Sequence, residues 1–183
     1  MNPKRESVNF HLENIEDGYF EVDIAGNLTF LNDSVCRMLG MTRAEMMGLN
    51  NRQYTDKENS QILYQAFNNV FRTGEPSKGV DYQIIRKDGT KLYIESSVSL
   101  IRNASGQPLG FRGIMRNITM RKLTEEALRE SEGKFRSLAE SSIDFIMHHD
   151  RQCRHTYINP AGLQVSGLAA ADLIGKTHRE SDE

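Results

Sequence analysis

The feature that most constrains this chain is a resemblance between two parts of its own sequence, residues 12–56 and residues 139–183. When the two are aligned without gaps, nine of the 45 pairs are identical. Ordinary residue usage would give roughly a third of that number by chance. The similarity includes TFLN at residues 29–32 against TYIN at residues 156–159. A period this long predicts duplicated domains and not a solenoid of short units.

The two copies differ in length. After a lead at residues 1–9, the first copy extends over residues 10–119, whereas the second begins at residue 139 and is cut at residue 183. We therefore expect one complete domain, a linker helix at residues 120–138 and the truncated first part of a second domain. This organisation indicates a fragment of a longer protein.

Local patterns predict the elements of the first copy. Residues 18–23 and 28–31 surround the turn Ala25-Gly26-Asn27, which is typical of a hairpin. Two short helices are expected next, and then a longer one whose apolar residues recur at helical spacing. Thr55 and Glu58 resemble a capping box at its start, and Gly74 follows its end. The predicted helices are residues 33–39, 43–47 and 58–73.

Three further strands are expected after this helix. Asp88-Gly89 is the strongest short hairpin signal in the chain, and residues 103–106 form a second turn. The predicted strands are residues 80–84, 92–100 and 109–118. The order β-β-α-α-α-β-β-β predicts an α+β domain in which one face of an antiparallel sheet packs on helices.

Composition excludes several classes of protein. The chain has 183 residues, 26% of them charged, and a net charge of −2, so no basic excess indicates a nucleic-acid surface. No apolar run approaches the roughly 20 residues of a membrane span, and the N-terminus lacks an apolar signal core. Cys36 and Cys153 stand far apart, which argues against a disulfide framework or a zinc site and indicates a reducing, cytoplasmic location.

Several separate motifs carry a family resemblance. They are GNLTFLND at residues 26–33, RKDGT at residues 86–90 and SGQPLGFRGIMRNIT at residues 105–119. With the element order and the charged helix that follows, they resemble a Per-Arnt-Sim (PAS) sensor domain over the whole first copy, and the second copy resembles the first half of another. The resemblance implies a five-stranded antiparallel sheet with helices on one face, enclosing a small pocket. It also implies input sensing or dimerisation in a bacterial signalling protein, although the fold alone does not fix the ligand.

The end of the last predicted strand departs from the family pattern. Asn117-Ile118-Thr119 stands where the family commonly has Asp-Ile-Thr. An aspartate could pair with a cation, whereas Asn117 can only form hydrogen bonds. We expect the hinge between sheet and outgoing helix at residues 116–122. The predicted signal-transmission residues are Arg116, Asn117, Ile118, Thr119 and Arg121.

Flavin binding is not expected. GLNNRQY at residues 48–54 resembles the Gly-x-Asn-Cys-Arg-Phe motif of photoactive LOV domains, but the reactive cysteine falls on Asn51, whose amide cannot form a thiol adduct. By the resemblance, the polar flavin contacts of that family fall on Ile84, Ile94 and Met115, which are apolar. Unpaired polar edges of a flavin ring would be costly there.

Haem and metal sites are not expected either. In haem-binding PAS domains a histidine on the long helix ligates the iron, and residues 58–73 contain none; the one histidine of the first copy is His11. In the second copy, His148 and His149 are adjacent, and neighbours on a strand point to opposite faces, so they cannot chelate one metal together. Polar residues of an edge strand are the simpler interpretation.

What remains is a small pocket. It is mostly apolar with serine and tyrosine as polar groups, which suits a small, mostly apolar ligand. The alternative is that these side chains simply fill the core. The pocket residues are Leu63, Phe67, Tyr82, Ile84, Ile94, Ser96 and Met115. We find no catalytic motif, because a nucleophile–histidine arrangement needs partners that one histidine does not supply.

The linker helix carries a short apolar seam. Leu128, Phe135 and Leu138 follow an imperfect heptad spacing, and the charged residues fit the solvated faces. Either the helix is a passive spacer, or it pairs with its twin in a homodimer and transmits a signal. We expect a non-catalytic sensor and dimerisation module of a histidine kinase or cyclic-dinucleotide enzyme, whose output domain lies downstream. The rival is a ligand-free scaffold that positions output domains.

Overall fold

The computed structural model describes residues 15–181. The predicted lead at residues 1–9 and His11 lie outside the described residues. The chain divides into two compact units. The boundary between them falls between Leu123 and Thr124, inside a long helix. Within the described residues, no helix combines the length and the apolar character needed to cross a membrane.

The first unit is built on one antiparallel sheet. Its strands are β1 (Gly18–Asp23), β2 (Leu28–Leu31), β3 (Ser77–Ile85), β4 (Lys91–Arg102) and β5 (Pro108–Asn117). Their spatial order is β2-β1-β5-β4-β3. The helices between β2 and β3 are α1 (Asp33–Leu39), α2 (Arg43–Met46), the short 3-10 helix Asn51–Gln53 and α3 (Lys57–Thr73). The predicted α+β class and five-stranded antiparallel sheet are confirmed.

The core lies between the sheet and these helices. Alternate residues of the strands point inwards and are buried, as Tyr82 and Ile84 of β3 illustrate. They meet Leu39 of α1, Met46 of α2 and Leu63 of α3 in one cluster. One face of the sheet is thus covered by helices, which is the layered arrangement that the sequence predicts.

Glycines in β5 allow the close approach of neighbouring strands. A Cβ atom on Gly110 would overlap the carbonyl oxygen of Val22, and one on Gly113 would lie 2.6 Å from the ring of Phe20. Both partners belong to β1, which pairs with β5 in antiparallel register. Side chains at these two positions would therefore separate the central strands.

The start of α3 differs from its prediction. Asp56 caps the helix, and its carboxylate accepts a hydrogen bond from the Asn59 backbone N–H at 3.0 Å. Thr55 instead donates its hydroxyl to the Asn51 carbonyl at 2.8 Å. The predicted Thr55–Glu58 capping box is wrong because aspartate caps as well as threonine and stands one residue closer to the helix.

A long helix, α4 (Thr119–Ser141), follows the sheet. It is longer at both ends than the predicted linker at residues 120–138. No proline or glycine stops it between residue 138 and its end, so its backbone hydrogen bonds continue.

The second unit contains a short hairpin and three short helices. Its elements are β6 (Met147–His149), β7 (His155–Ile158), α5 (Pro160–Ser166), α6 (Ala170–Leu173) and α7 (His178–Ser181). Three of these elements have the same bounds as elements of the first unit in the internal alignment. Strand β7 corresponds to β2, helix α5 to α1 and helix α6 to α2. The two-stranded sheet pairs Met147 with Ile158 in antiparallel register.

A buried asparagine organises the first hairpin. The side-chain oxygen of Asn32 accepts from the backbone N–H groups of Tyr19 at 3.0 Å and Val35 at 3.3 Å. Its amide nitrogen donates to the Asp17 carbonyl at 3.1 Å. One side chain thereby joins β1, β2 and the start of α1 and satisfies backbone groups that would otherwise be buried without partners.

Asn159 makes the corresponding bonds in the second unit. Its oxygen accepts from the N–H groups of Ile146 at 3.0 Å and Gly162 at 2.9 Å, and its amide donates to the Asp144 carbonyl at 2.8 Å. Each of these partners is aligned with its counterpart in the first unit. The amide also donates to the carbonyl of Ala139 in the last turn of α4 at 2.9 Å.

Candidate functional site

The structure brings the seven predicted pocket residues together in the core of the first unit. Six of them are buried, and Phe67 is partly buried against the same cluster. The periodicities of strand and helix place all of them on the inner side of the sheet or the inner face of α3. Tyr82 and Ile84 come from β3, Ile94 and Ser96 from β4, Met115 from β5, and Leu63 and Phe67 from α3.

Very little space remains between these side chains. A cavity of about 20 Å³ lies in the core, bordered by Leu63, Phe67, Tyr82 and Met115 together with Tyr54 and residues of β1 and α1. A volume of that size accommodates about one water molecule. Most of the predicted pocket residues therefore pack against one another as a core.

Polar groups are nevertheless present in this core, and two of them, Tyr54 and Tyr82, border the cavity. The hydroxyl of Ser96 has no hydrogen-bond partner, although the residue is only 1% exposed. Burial raises the pKa of Tyr82. Burial also raises the pKa of Tyr54, with a further contribution from Tyr82. These hydroxyls are neutral donors and acceptors at physiological pH, suited to hydrogen-bond a small molecule.

A second, open groove adjoins the core cavity. It has a volume of about 240 Å³ and shares Gly26, Asn51 and Phe67 with the cavity. Its lining contains both aromatic and polar side chains. The wall residues include Tyr64, Phe71, Phe111, Asn50, Arg52 and Asn68. The motif at residues 48–54 marks the segment that contributes Asn51 and Arg52, but local sequence does not predict the groove, because α3 and the β1–β2 turn must meet to form it.

The three positions at which the flavin-binding relatives would have polar flavin contacts lie deep in the core of this chain. Ile84 and Ile94 are fully buried, and Met115 is 3% exposed. Asn51 begins the 3-10 helix, and its backbone carbonyl accepts the hydroxyl of Thr55. The core positions offer aliphatic and thioether groups to a ligand, whereas Asn51 offers a carboxamide at the groove.

Ile118, which precedes α4, and Thr119, its first residue, are hydrogen-bonded to Tyr93 near the start of β4. The backbone N–H of Ile118 donates to the carbonyl of Tyr93 at 2.9 Å, and the Tyr93 N–H donates to the Thr119 hydroxyl at 2.9 Å. Asn117 accepts the N–H of Thr119 at 3.0 Å. Ile118 is 4% exposed. Three of the five predicted transmission residues, Asn117, Ile118 and Thr119, therefore lie where the sheet becomes the helix.

Three ion pairs surround this junction. Arg116 binds both carboxylate oxygens of Asp17, at 3.0 and 2.6 Å, and Asp17 raises the pKa of the guanidinium. Arg121 donates to Glu95 of β4 at 3.1 Å. The third pair joins Lys122 to Asp81 of β3 at 2.8 Å.

The sequence did not predict the acidic partners in these pairs. Asp17, Glu95 and Asp81 lie far from their cations in sequence. Glu95 and Asp81 did carry a signal, because both are charged residues at the outward-facing positions of strands whose other face is apolar. Their partners could only be identified once the strand order placed β3 and β4 beside the first turn of α4.

The predicted dimer seam lies on exposed positions of α4. Leu128 is 59% exposed, Leu138 72% and Phe135 47%. The Phe135 ring also contacts the rings of His148 and Tyr157, with centroids 5.2 and 6.3 Å away. Leu128 and Leu138 thus offer apolar surface to a partner, whereas Phe135 already has aromatic neighbours in its own chain.

His148 and His149 contact different neighbours, as expected for adjacent residues of a strand. The ring of His148 lies beside Phe135 and Tyr157, and that of His149 lies beside His155. Across residues 15–181, no three histidine, cysteine or carboxylate side chains are grouped so that they could hold a metal ion.

Comparison with known proteins gives one family and one curated relative. A sequence model of the PAS fold matches residues 8–118, more than half of the chain. The relative is sporulation kinase C of Bacillus subtilis, which is 27% identical over 132 residues. The match covers 68% of this chain but only 29% of the kinase.

Solved structures show the same fold. A PAS domain from Colwellia psychrerythraea aligns with a TM-score of 0.59 and 18% identity over 65% of this chain and 99% of its own. A sensory box histidine kinase/response regulator from Burkholderia thailandensis aligns with a TM-score of 0.57 and 18% identity over 71% of this chain and 98% of its own.

Proposed function

The chain belongs to the PAS family, and from this premise we propose that its first unit senses a small ligand and passes the signal into α4. The module itself is non-catalytic. The likeness to a sporulation kinase supports a place in a longer bacterial signalling chain, with a histidine kinase or cyclic-dinucleotide enzyme as output. The widely spaced cysteines support a cytoplasmic location.

One observation carries the proposal: core residues and helix anchors alternate along the same strands. On β4, Ile94 and Ser96 face the core, while Glu95 between them binds Arg121. Neighbours on a strand point to opposite faces. A ligand that displaces Ser96 inwards or outwards therefore moves Glu95, and with it the first turn of α4.

The same alternation occurs on the two strands beside β4. On β3, Tyr82 is buried and its neighbour Asp81 binds Lys122. On β5, Met115 is buried and the next residue, Arg116, binds Asp17. Three strands thus connect the core to the junction, so a small change in core packing reaches α4 at several points.

The ligand that best fits is small, largely apolar and able to hydrogen-bond. The hydroxyl groups of Ser96, Tyr82 and Tyr54 would bind its polar end, and the groove beside Phe67 would admit it. Because the core cavity holds about one water molecule, binding must select a more open arrangement of the core. The difference in affinity between the two arrangements is what would drive the signal.

Downstream of the core, we propose that α4 pairs with its twin in a homodimer through Leu128 and Leu138, with Phe135 at the edge of the seam. We also propose that residues 139–183 are the first part of a second PAS domain. This assignment is supported by β7, α5 and α6, whose ends align with those of β2, α1 and α2. In that arrangement α4 would connect two sensor domains.

Coupling from core to helix can be tested with an engineered opening. Phe67→Ala removes the ring shared by the cavity and the groove, and indole, which is apolar with one N–H donor, serves as the probe. Hydrogen exchange is measured over residues 118–130 with and without indole. We expect indole to protect the core strands and to change exchange in the first turns of α4 severalfold.

The matched control separates transmission from ligand binding. Phe67→Ala combined with Arg121→Ala and Lys122→Ala keeps the opening but removes two of the three ion pairs. Indole should still protect the core strands of this variant while exchange in α4 no longer responds. If α4 ignores indole in both variants although the core is protected, the proposed transmission is wrong.

The dense core supports a second candidate function, a ligand-free scaffold that positions output domains. Native mass spectrometry of the chain purified from cells distinguishes the two. A retained small mass that is lost on denaturation would support the sensor, and a dimer at the mass of the bare protein would support the scaffold. Leu128→Glu with Leu138→Glu should give monomers in either case, since both changes place charge in the seam.

A further inference from the structure

The second unit holds three neighbouring histidines, one of which is buried. His155 of β7 is 2% exposed. Its ring centroid lies 4.6 Å from that of His149 on β6 and 6.4 Å from that of His178 on α7. The backbone N–H of His155 donates to the Lys176 carbonyl at 2.9 Å, but neither ring nitrogen has a hydrogen-bond partner. Buried polar groups without partners are few in folded proteins and call for an explanation.

The surroundings of His155 do not favour a proton on its ring. From β6 and α7, the groups that face it are the imidazoles of His149 and His178. The carboxylate of Glu180 on α7 is bound to Arg154 at 3.1 Å. Burial lowers the pKa of His155 from its ordinary value, and His149 and His178 lower it further.

The first unit has no titratable side chain near neutral pH at the corresponding positions. The residues aligned with the three histidines are Val22, Leu28 and Asn51, and all three border the core cavity. The two hairpins therefore share a backbone arrangement. They differ in that only the second has imidazole side chains, which acid can protonate, at these positions. A comparison of the two within one chain is thus an internal control.

We propose that the histidine cluster, His149, His155 and His178, makes the second unit an acid-sensitive element that opens as the pH falls from 7.5 to 5.5, while the first unit stays closed. Histidine in an unfolded chain titrates near pH 6.5. Since the pKa of His155 is lower in the folded unit, the opened chain binds more protons in acid. The stabilising effect of neutral His155 is complete above about pH 6.5 and is lost below it.

Hydrogen exchange of the 183-residue chain tests this. Exchange is followed by mass spectrometry at pH 7.5 and 5.5, corrected for the intrinsic pH dependence of amide exchange, with EDTA present so that no metal ion bridges the imidazoles. We expect the opening equilibrium over residues 146–158 to rise severalfold, because the opened chain takes up a proton that the folded unit disfavours. Residues 19–31 should not respond.

Two substitutions of comparable size locate the effect. His155→Leu introduces the side chain that the first unit has at the matching position and should abolish the response. His148→Leu, whose ring contacts Phe135 and Tyr157 instead, should retain it. Should His155→Leu fail to fold, His149→Val must weaken the response. A response that persists in His155→Leu, or that is equal in residues 19–31 and 146–158, overturns the proposal.

Discussion

The two units contain the same kind of hairpin but differ in the side chains at its buried positions. Asn32 and Asn159 bind equivalent backbone groups in the two units, and both are completely buried. Gly40 and Gly167 end the following helices in the left-handed conformation. Behind these asparagines, however, Leu28 stands in one unit and His155 in the other.

The difference shows which residues hold the backbone and which leave room for change. Asn32 replaces hydrogen bonds that the backbone would lose, so no apolar side chain can substitute for it. Leu28 only fills space, and an imidazole of similar size fits there. The buried asparagine thus maintains the backbone conformation of the hairpin. The residue at the space-filling position determines whether the interior contains a titratable group.

The strongest way to test this comparison is to remove the asparagines. Asn32→Ala leaves the Tyr19 N–H and the Asp17 carbonyl without their partner and removes one of the two acceptors of the Val35 N–H, and should lower the free energy of unfolding of the first unit by about 3 kcal/mol. Asn159→Ala should destabilise the second unit similarly. Urea unfolding followed by circular dichroism measures the loss, and hydrogen exchange assigns it to a unit.

The two variants should also differ in one respect. Asn159 binds the Ala139 carbonyl in the last turn of α4, so Asn159→Ala should speed exchange there, whereas Asn32→Ala should not. Asn68→Ala, at an exposed position of α3, is the control and should change stability by less than about 0.5 kcal/mol. Equal losses in all three variants would show that the asparagines do not hold the hairpins.

Most of the fold could be predicted because its signals are local. Alternation in β3 and β4, the Asp88-Gly89 turn and the apolar stripe of α3 each depend on a few adjacent residues. The predicted cap of α3 is misplaced by one residue because Thr55 and Asp56 are both good caps. Only the backbone conformation distinguishes them.

The site was less predictable because it depends on contacts between distant segments. The seven core residues could be predicted from periodicity, but the small volume left between them depends on how their side chains interlock. Asp17 lies 99 residues from Arg116, so no spacing rule connects them. The internal alignment did set His155 against Leu28, a buried position, and that signal was available in the sequence.

The turns of the two hairpins give a prediction of intermediate size. Cys153 has a φ of 60°, whereas Gly26 has 87° at the matching position. A side chain in this left-handed region costs about 1–2 kcal/mol. Cys153→Gly should therefore raise the unfolding free energy of the second unit by about 1 kcal/mol, and Gly26→Cys should lower that of the first by a similar amount. Thermal unfolding measures both.

A neighbouring substitution serves as the control for this pair. Gln152→Gly, one residue earlier at a position with ordinary backbone angles, should lower stability by about 0.5 kcal/mol because glycine only adds freedom to the unfolded chain. If Cys153→Gly and Gln152→Gly shift the unfolding temperature in the same direction, strain at Cys153 is not a difference between the units.

A last expected difference, of about the same size, concerns the short helices α2 and α6. Thr42 and Glu45 form a reciprocal capping box at the start of α2, whereas Ala169 caps α6 without any side-chain hydrogen bond. Thr42→Ala should lower the stability of the first unit by about 1 kcal/mol, and Ala169→Thr with Asp172→Glu should raise that of the second by about the same amount. Urea unfolding of single and double variants measures both effects.

The capping box also predicts how the two substitutions in α6 combine. A glutamate at position 172 gains its reciprocal bond only by reaching the backbone N–H at position 169, and threonine there supplies the other half. Asp172→Glu alone should therefore change little, and the double variant should exceed the sum of the single variants. Strict additivity would mean that the threonine cap acts alone. In that case the contrast between α2 and α6 would come from Thr42, and Glu45 would contribute mainly through its ion pair with Lys87.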